Sequence, residues 1–164
     1  MGVVSLFETP TYNFKEDVLE ISDAGKSVSY TFADPSMIVT PTKESIEIPD
    51  PDLDIQIKWD QMNAVQRAAN IMQLPEIAIS GRDNITLEAI NSNDPTSDRY
   101  TQTLGSNDTD HTFSFIFKAE NMKLMAFDYL CKITSKGISQ FTSCNEQGPK
   151  ITYWIAVESN SQFS

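Results

Sequence analysis

Apolar and polar residues alternate with a period of two through most of the chain, the signature of strands buried on one face. Such runs occupy 18–22, 27–32, 54–58, 77–80, 85–90, 99–104, 112–118, 129–134, 138–143 and 151–157. Reversal chemistry separates them at Asp23-Ala24-Gly25, Gly81-Arg82-Asp83-Asn84, Ser135-Lys136-Gly137 and Gln147-Gly148-Pro149. One stretch departs from this period. Met62, Val65, Ala69 and Met72 recur at helical spacing, with Asp60 as the expected N-cap and Pro75 as the stop. The opposite face of that helix carries Asn63, Gln66, Arg67 and Asn70, so it is polar with a cation and no acid. A second, shorter helical segment is expected over 119–125, where Met122 and Met125 stand three apart.

Residues 33–53, ADPSMIVTPTKESIEIPDPDL, interrupt the pattern with four of the eight prolines, and read as an extended connector. Met37, Ile38 and Val39 form an apolar island within it. Beyond the connector the chain repeats itself. Asp54 to Met62 and Phe113 to Met122 are each an alternating strand with an aromatic near its end, followed by an acid and then a methionine opening a helix. Each is followed by about three further strands. A β-α-β-β-β unit used twice, in an α+β protein, is the expected architecture. A pseudo-twofold axis relating the units would bring their helices side by side on one surface.

Charge changes the picture. With 23 acids against 12 Lys and Arg the net charge is −11, which repels nucleic acid on average. Any phosphate contact therefore needs a local cluster of cations. The expected helical surface supplies one: Arg67 from the first helix, Lys123 from the second, and Lys58 and Lys118 at the strand ends leading into them. At 164 residues the chain suffices for one substantial core, or for one domain and part of another. The opening MGVVSLFE lacks a basic start, and no apolar run approaches the thickness of a bilayer, so neither signal peptide nor anchor is expected. Cys131 and Cys144 are too few for a disulfide framework; reduced thiols and a cytoplasmic setting are the expectation.

Catalytic chemistry is thinly represented. His111, the only histidine, stands near Asp108 and Asp110, but no nucleophile motif, glycine-rich phosphate loop or metal-ligand spacing accompanies it. The expectation is a non-enzyme with no catalytic residue, no metal and no cofactor.

The stretch TFSFIFKAENMKLMAFDYLCKITSKG resembles the last helix region of the sliding clamps, the DNA polymerase processivity factors, of T-even-type bacteriophages. ADPSMIVTPTKESIEIPDP is similar to that family's interdomain strap, and TQTLG and the terminal YWIAVES extend the likeness over most of the chain. The resemblance implies the DNA clamp fold, with antiparallel sheets outside and helices on one face. It also implies a domain plan: 1–34 as the final part of an incomplete first clamp domain, 35–53 as the connector, and 54–164 as a complete second domain. The implied function is a ring, trimeric in the family, that encircles duplex DNA without reading sequence in the bacterial host of a phage. Lys58, Arg67, Lys118 and Lys123 would face the DNA. A DNA polymerase's C-terminal peptide would dock on Met37, Ile38 and Val39 together with Trp154 and Ala156, and a clamp loader would open the ring. Subunits would join through the edges holding Ser27, Ser29 and Thr31 at one end and Arg99, Thr101 and Thr103 at the other. The competing reading is a β-rich phage structural or carbohydrate-binding module with no DNA role, which explains the strands and the acidity but not the repeat.

Overall fold

The structure, a computed structural model, describes residues 3–37, 46–48, 50–145 and 148–164. The chain divides into two units, Met1–Ser45 and Ile46–Ser164. Of the expected connector, Pro35–Met37 forms one 3-10 turn, while 38–45 and 49 lie outside the described residues.

The first unit is a three-stranded antiparallel meander of β1 (Thr11–Phe14), β2 (Val18–Asp23) and β3 (Lys26–Thr31), in that order. Its β2–β3 reversal places Ala24 and Gly25 at φ 45° and 84°; glycine occupies this left-handed region without strain. The Asp23 carboxylate accepts the Glu8 and Thr9 N–H groups at 2.8 and 3.0 Å, which fixes the preceding segment to the hairpin and holds that carboxyl below its usual pKa. Before the meander, Val4–Leu6 forms one 3-10 turn.

The second unit runs β4 (Leu53–Ile57), α1 (Trp59–Met72), β5 (Glu76–Gly81), β6 (Asn84–Ile90), β7 (Tyr100–Ser106), β8 (Phe113–Lys118), a 3-10 turn (Ala119–Met122), β9 (Tyr129–Thr134), β10 (Ile138–Ser143), β11 (Thr152–Ala156) and β12 (Gln162–Phe163). The repeat is present, and it is interlocked. β4 pairs with β9 of the second repeat, and β8 pairs with β5 of the first, giving sheets ordered β11-β10-β9-β4 and β12-β8-β5-β6-β7. Each repeat thus lends its opening strand to the other's sheet.

Alternation directs the core. Phe113, Phe115 and Phe117 point inward from β8 to join Ile77, Ile79 and Leu87, and meet Ile57, Tyr129, Ile133 and Phe141 of the other sheet. Phe117 and Phe141 touch edge to face, with ring centroids 5.9 Å apart. Helix α1 packs on β5, β6 and β7 through Met62, Val65 and Ala69, as its periodicity predicts.

Two helical expectations need correction. Lys58 and not Asp60 is the N-cap residue; its N–H is taken by Gln61 Oε1 at 2.9 Å, and the Trp59 N–H by Asp128 Oδ1 at 2.8 Å. Asp60 is the second residue of the helix, where its charge suits the helix's positive end. The helix stops at Gln73, held left-handed at φ 55°, with the Leu74 N–H closing back on Ala69 at 2.9 Å. The second expected helix is a single 3-10 turn. The residues needing burial there are Met122 and Leu124, two apart, whereas Met125 is exposed; a helix cannot place that pair on one face. The side-by-side helices thus reduce to one helix beside one turn, bridged by a hydrogen bond from Gln66 Nε2 to the Met122 carbonyl.

Candidate nucleic-acid and partner surfaces

On α1 the side opposite Met62, Val65 and Ala69 presents Asp60, Asn63, Arg67, Asn70 and Ile71. Arg67 and Ile71 are exposed, Ile71 to 76%. Asp60 stands seven residues before Arg67 on the same side, so this face is nearly neutral and, apart from Ile71, polar, with one cation rather than a stripe. Lys123 adds the second: it lines a small hollow with Gln66 and Asn70, alongside α1. Lys58 sits at the helix's amino end, exposed. Lys118 faces another hollow, shared with Glu76, Glu120 and Glu158, where any phosphate would meet carboxylates as well as the ammonium. Glu76 is buried and satisfied by the Ser92 N–H and hydroxyl at 2.7 and 2.9 Å. The one ion pair among the described residues joins Lys15 to Glu20, so Arg67 and Lys123 are not neutralised by a bridging acid.

The outer face of the four-stranded sheet offers a different chemistry. Trp154 is 39% exposed, and its indole N–H donates to the Ile46 carbonyl at 2.9 Å. Ala156 is exposed on the same side of β11, and Ile46 and Leu130 are each about two-fifths exposed. Ile46 and Leu130 were not among the residues picked out from sequence. The polar setting of Ile46 and the alternation that exposes Leu130 on β9 offered little sign of an apolar surface. Of the other expected pocket residues, Met37 is exposed in the first unit, and Ile38 and Val39 lie outside the described residues.

Two strand edges are open to pairing. β3, bearing Ser27, Ser29 and Thr31, is an outer strand of the first unit's sheet. β7, bearing Thr101 and Thr103 with Arg99 just before it, is the outer strand of the five-stranded sheet. All six of these side chains are exposed. His111 is exposed and lies against Phe163, ring centroids 4.9 Å apart. Cys131 is buried, which pushes its thiol pKa up, and Cys144 is exposed; neither forms a disulfide. Among the described residues no three His, Cys, Asp or Glu side chains are grouped to hold a metal, and no helix is long and apolar enough to cross a membrane.

Comparison with known proteins places these surfaces in context. The family model described as gp45 sliding clamp, C terminal, matches residues 54–159. The sliding clamp of Enterobacteria phage T4 is 27% identical over 98% of this chain and 72% of its own length. That of Vibrio phage KVP40 is 25% identical over 96% and 72%. Among solved structures, the Helicobacter pylori beta clamp in complex with diflunisal aligns at a TM-score of 0.59 and 11% identity, covering 96% of this chain. The chain spans 44% of that protein's length. A. fulgidus PCNA bound to the C-terminal region of FEN-1 aligns at 0.51 and 15% identity, over 92% of this chain and 63% of the PCNA.

Proposed function

Because the chain belongs to the gp45 sliding clamp family, we propose that it is a DNA sliding clamp, a processivity factor tethering a phage replicative DNA polymerase to duplex DNA inside the bacterial host. The observation that carries this reading is the interlocked repeat over which the family match runs. Its action is topological and not catalytic. A closed ring needs only weak, sequence-independent contact with the duplex, since tight contact would prevent sliding. The exposed face of α1 suits such contact, being nearly neutral and polar but for Ile71, with Arg67 and Lys123 as point contacts for phosphate and Lys58 at its end. Lys118, ringed by acids, is the weakest of the four candidates.

Head-to-tail closure joins two different edges, and β3 and β7 each present one. Three subunits, the family's number, would complete the ring, opened by a clamp loader. The polymerase's C-terminal peptide would seat an apolar anchor on Trp154 and Ala156, with Ile46 and Leu130 at the margin.

Salt dependence tests the DNA face. Arg67→Glu with Lys123→Glu should lower the slope of log affinity against log salt by roughly two contacts' worth, about 0.9 per phosphate, while Lys118→Glu leaves it unchanged. An unaltered slope in the double variant, with folding intact, would remove both residues from the DNA surface.

A further inference from the structure

Segment 158–164 lies along the free side of β8 and serves most of that edge. Thr112 and Ser164 exchange both backbone hydrogen bonds, at 3.0 and 2.9 Å, and their hydroxyls meet at 2.6 Å. Gln162 pairs with Ser114 and Phe163 with Phe113. Farther along, the Ser161 hydroxyl accepts the Ile116 N–H at 2.8 Å, and the Ile116 carbonyl accepts the Glu158 N–H at 2.8 Å. Phe163 rests against Phe115 and His111, with centroid separations of 6.1 and 4.9 Å. In the internal repeat β8 corresponds to β4, which is the last strand of its own sheet. The cover on β8 is therefore an addition that the repeat does not require.

Several features suit this cover to exchange. The covering strand is short, β12 itself spanning two residues with the Ser164–Thr112 pair at its end, and Phe163 is half-buried. Beside it a cavity of about 390 Å³ opens between Phe163, Phe115, Val157 and the Ser135-Lys136-Gly137 turn. Val157 is fixed separately, its N–H donated to the Gly137 carbonyl at 3.0 Å, so the segment can pivot after 157 while β11 stays in place. Lys136 is exposed and in no ion pair among the described residues. The other charge lining the cavity, Glu158, belongs to the segment that would leave. Once it leaves, the lining residues are Phe115, Val157, Ser135, Gly137 and Lys136, the last the only charged one among them, with the Asp52 carboxylate behind the turn on the Ser135 N–H.

We propose that the β8 edge is a peptide-acceptor site, kept closed by segment 158–164, that takes in its place an extended acidic segment with an aromatic residue from a partner protein. The incoming chain adds as a strand on β8, its aromatic enters the cavity over Phe115, and an acid reaches Lys136. The acceptor strand β8 belongs to the other sheet from Trp154, while the cavity beside it is walled in part by Val157 and the 135–137 turn of Trp154's own sheet; the proposal is independent of the DNA reading. Being tethered, segment 158–164 competes at an effective concentration of roughly millimolar, so only a tighter peptide displaces it.

The test uses a fluorescein-labelled peptide, Glu-Asp-Asn-Ser-Gln-Trp-Ser, patterned on 158–164 with an added acid and a larger aromatic. By anisotropy it should bind the Phe163→Ala chain about tenfold more tightly than the unaltered chain, because the tethered competitor is weakened. Lys136→Glu in the Phe163→Ala background should remove most of that gain, and a peptide with alanine for tryptophan should not bind. Equal binding to both chains would overturn the proposal. So would no binding to a Phe163→Ala chain whose β5 and β6 amides remain protected from hydrogen exchange. A concentration-dependent dimer that the peptide fails to dissociate would assign the edge to a second copy, which also overturns it.

Discussion

Single residues set sharp limits on this fold. Gly81 ends β5 directly against the Phe113 ring, and a Cβ built there would stand 2.3 Å from that ring. Gly81→Ala should cost about 1–3 kcal/mol by urea denaturation, as overpacking does, and Phe113→Leu in the same chain should recover part of the loss. Asp52 offers a second test. Its carboxylate takes the Ser135 N–H at 2.6 Å, chiefly for which its pKa lies below the ordinary 3.8. A carboxyl with a lowered folded-state pKa stabilises fully above its unfolded value, and that contribution is lost as pH falls through the folded value. Asp52→Asn should therefore narrow the difference in urea midpoint between mildly and strongly acidic solution. An unchanged acid limb would mean that the bond adds nothing to stability.

At the scale of elements, α1 depends on a partner from far along the chain. Asp128, 69 residues after Trp59, satisfies an N–H that the helix itself leaves open. Asp128→Ala should cost about 0.5–2 kcal/mol, the usual range for a lost cap, read as a fall in Tm with α1 amides exchanging faster than those of β5. That cap was illegible in the sequence, because it joins the two repeats across space; Asp60 offered a plausible local substitute and was misread as the cap. The strands were far more legible, since burial on one face imposes the period of two directly, and Tyr129–Thr134 and Ile138–Ser143 fall where alternation places them. Thr11–Phe14 and Gln162–Phe163 escaped notice: the first is exposed throughout, and the second is too short to show a period. The helix expected over 119–125 failed for a related reason. Met122 and Met125 have helical spacing, but the core claims Met122 and Leu124.

Over the whole second unit, the repeat recognisable in the residues is the repeat observed, and the exchange of opening strands between sheets is what spacing could not reveal. That exchange makes neither repeat complete alone, so the unit should unfold as one cooperative transition. The candidate surfaces were legible unevenly. Arg67 and Lys123 stand beside the exposed side of α1, but no local pattern signals that Glu158 arrives next to Lys118, or Ile46 next to Trp154. A ring that holds DNA by enclosing it can be distinguished directly from a protein that adheres to the duplex surface. The protein, loaded by its cognate loader with ATP onto nicked circular DNA, is followed by gel filtration before and after the circle is cut to a linear duplex. Enclosure predicts retention on the circle and release from the linear form through its free ends. Equal retention on both would mean attachment by surface contact, and would contradict it.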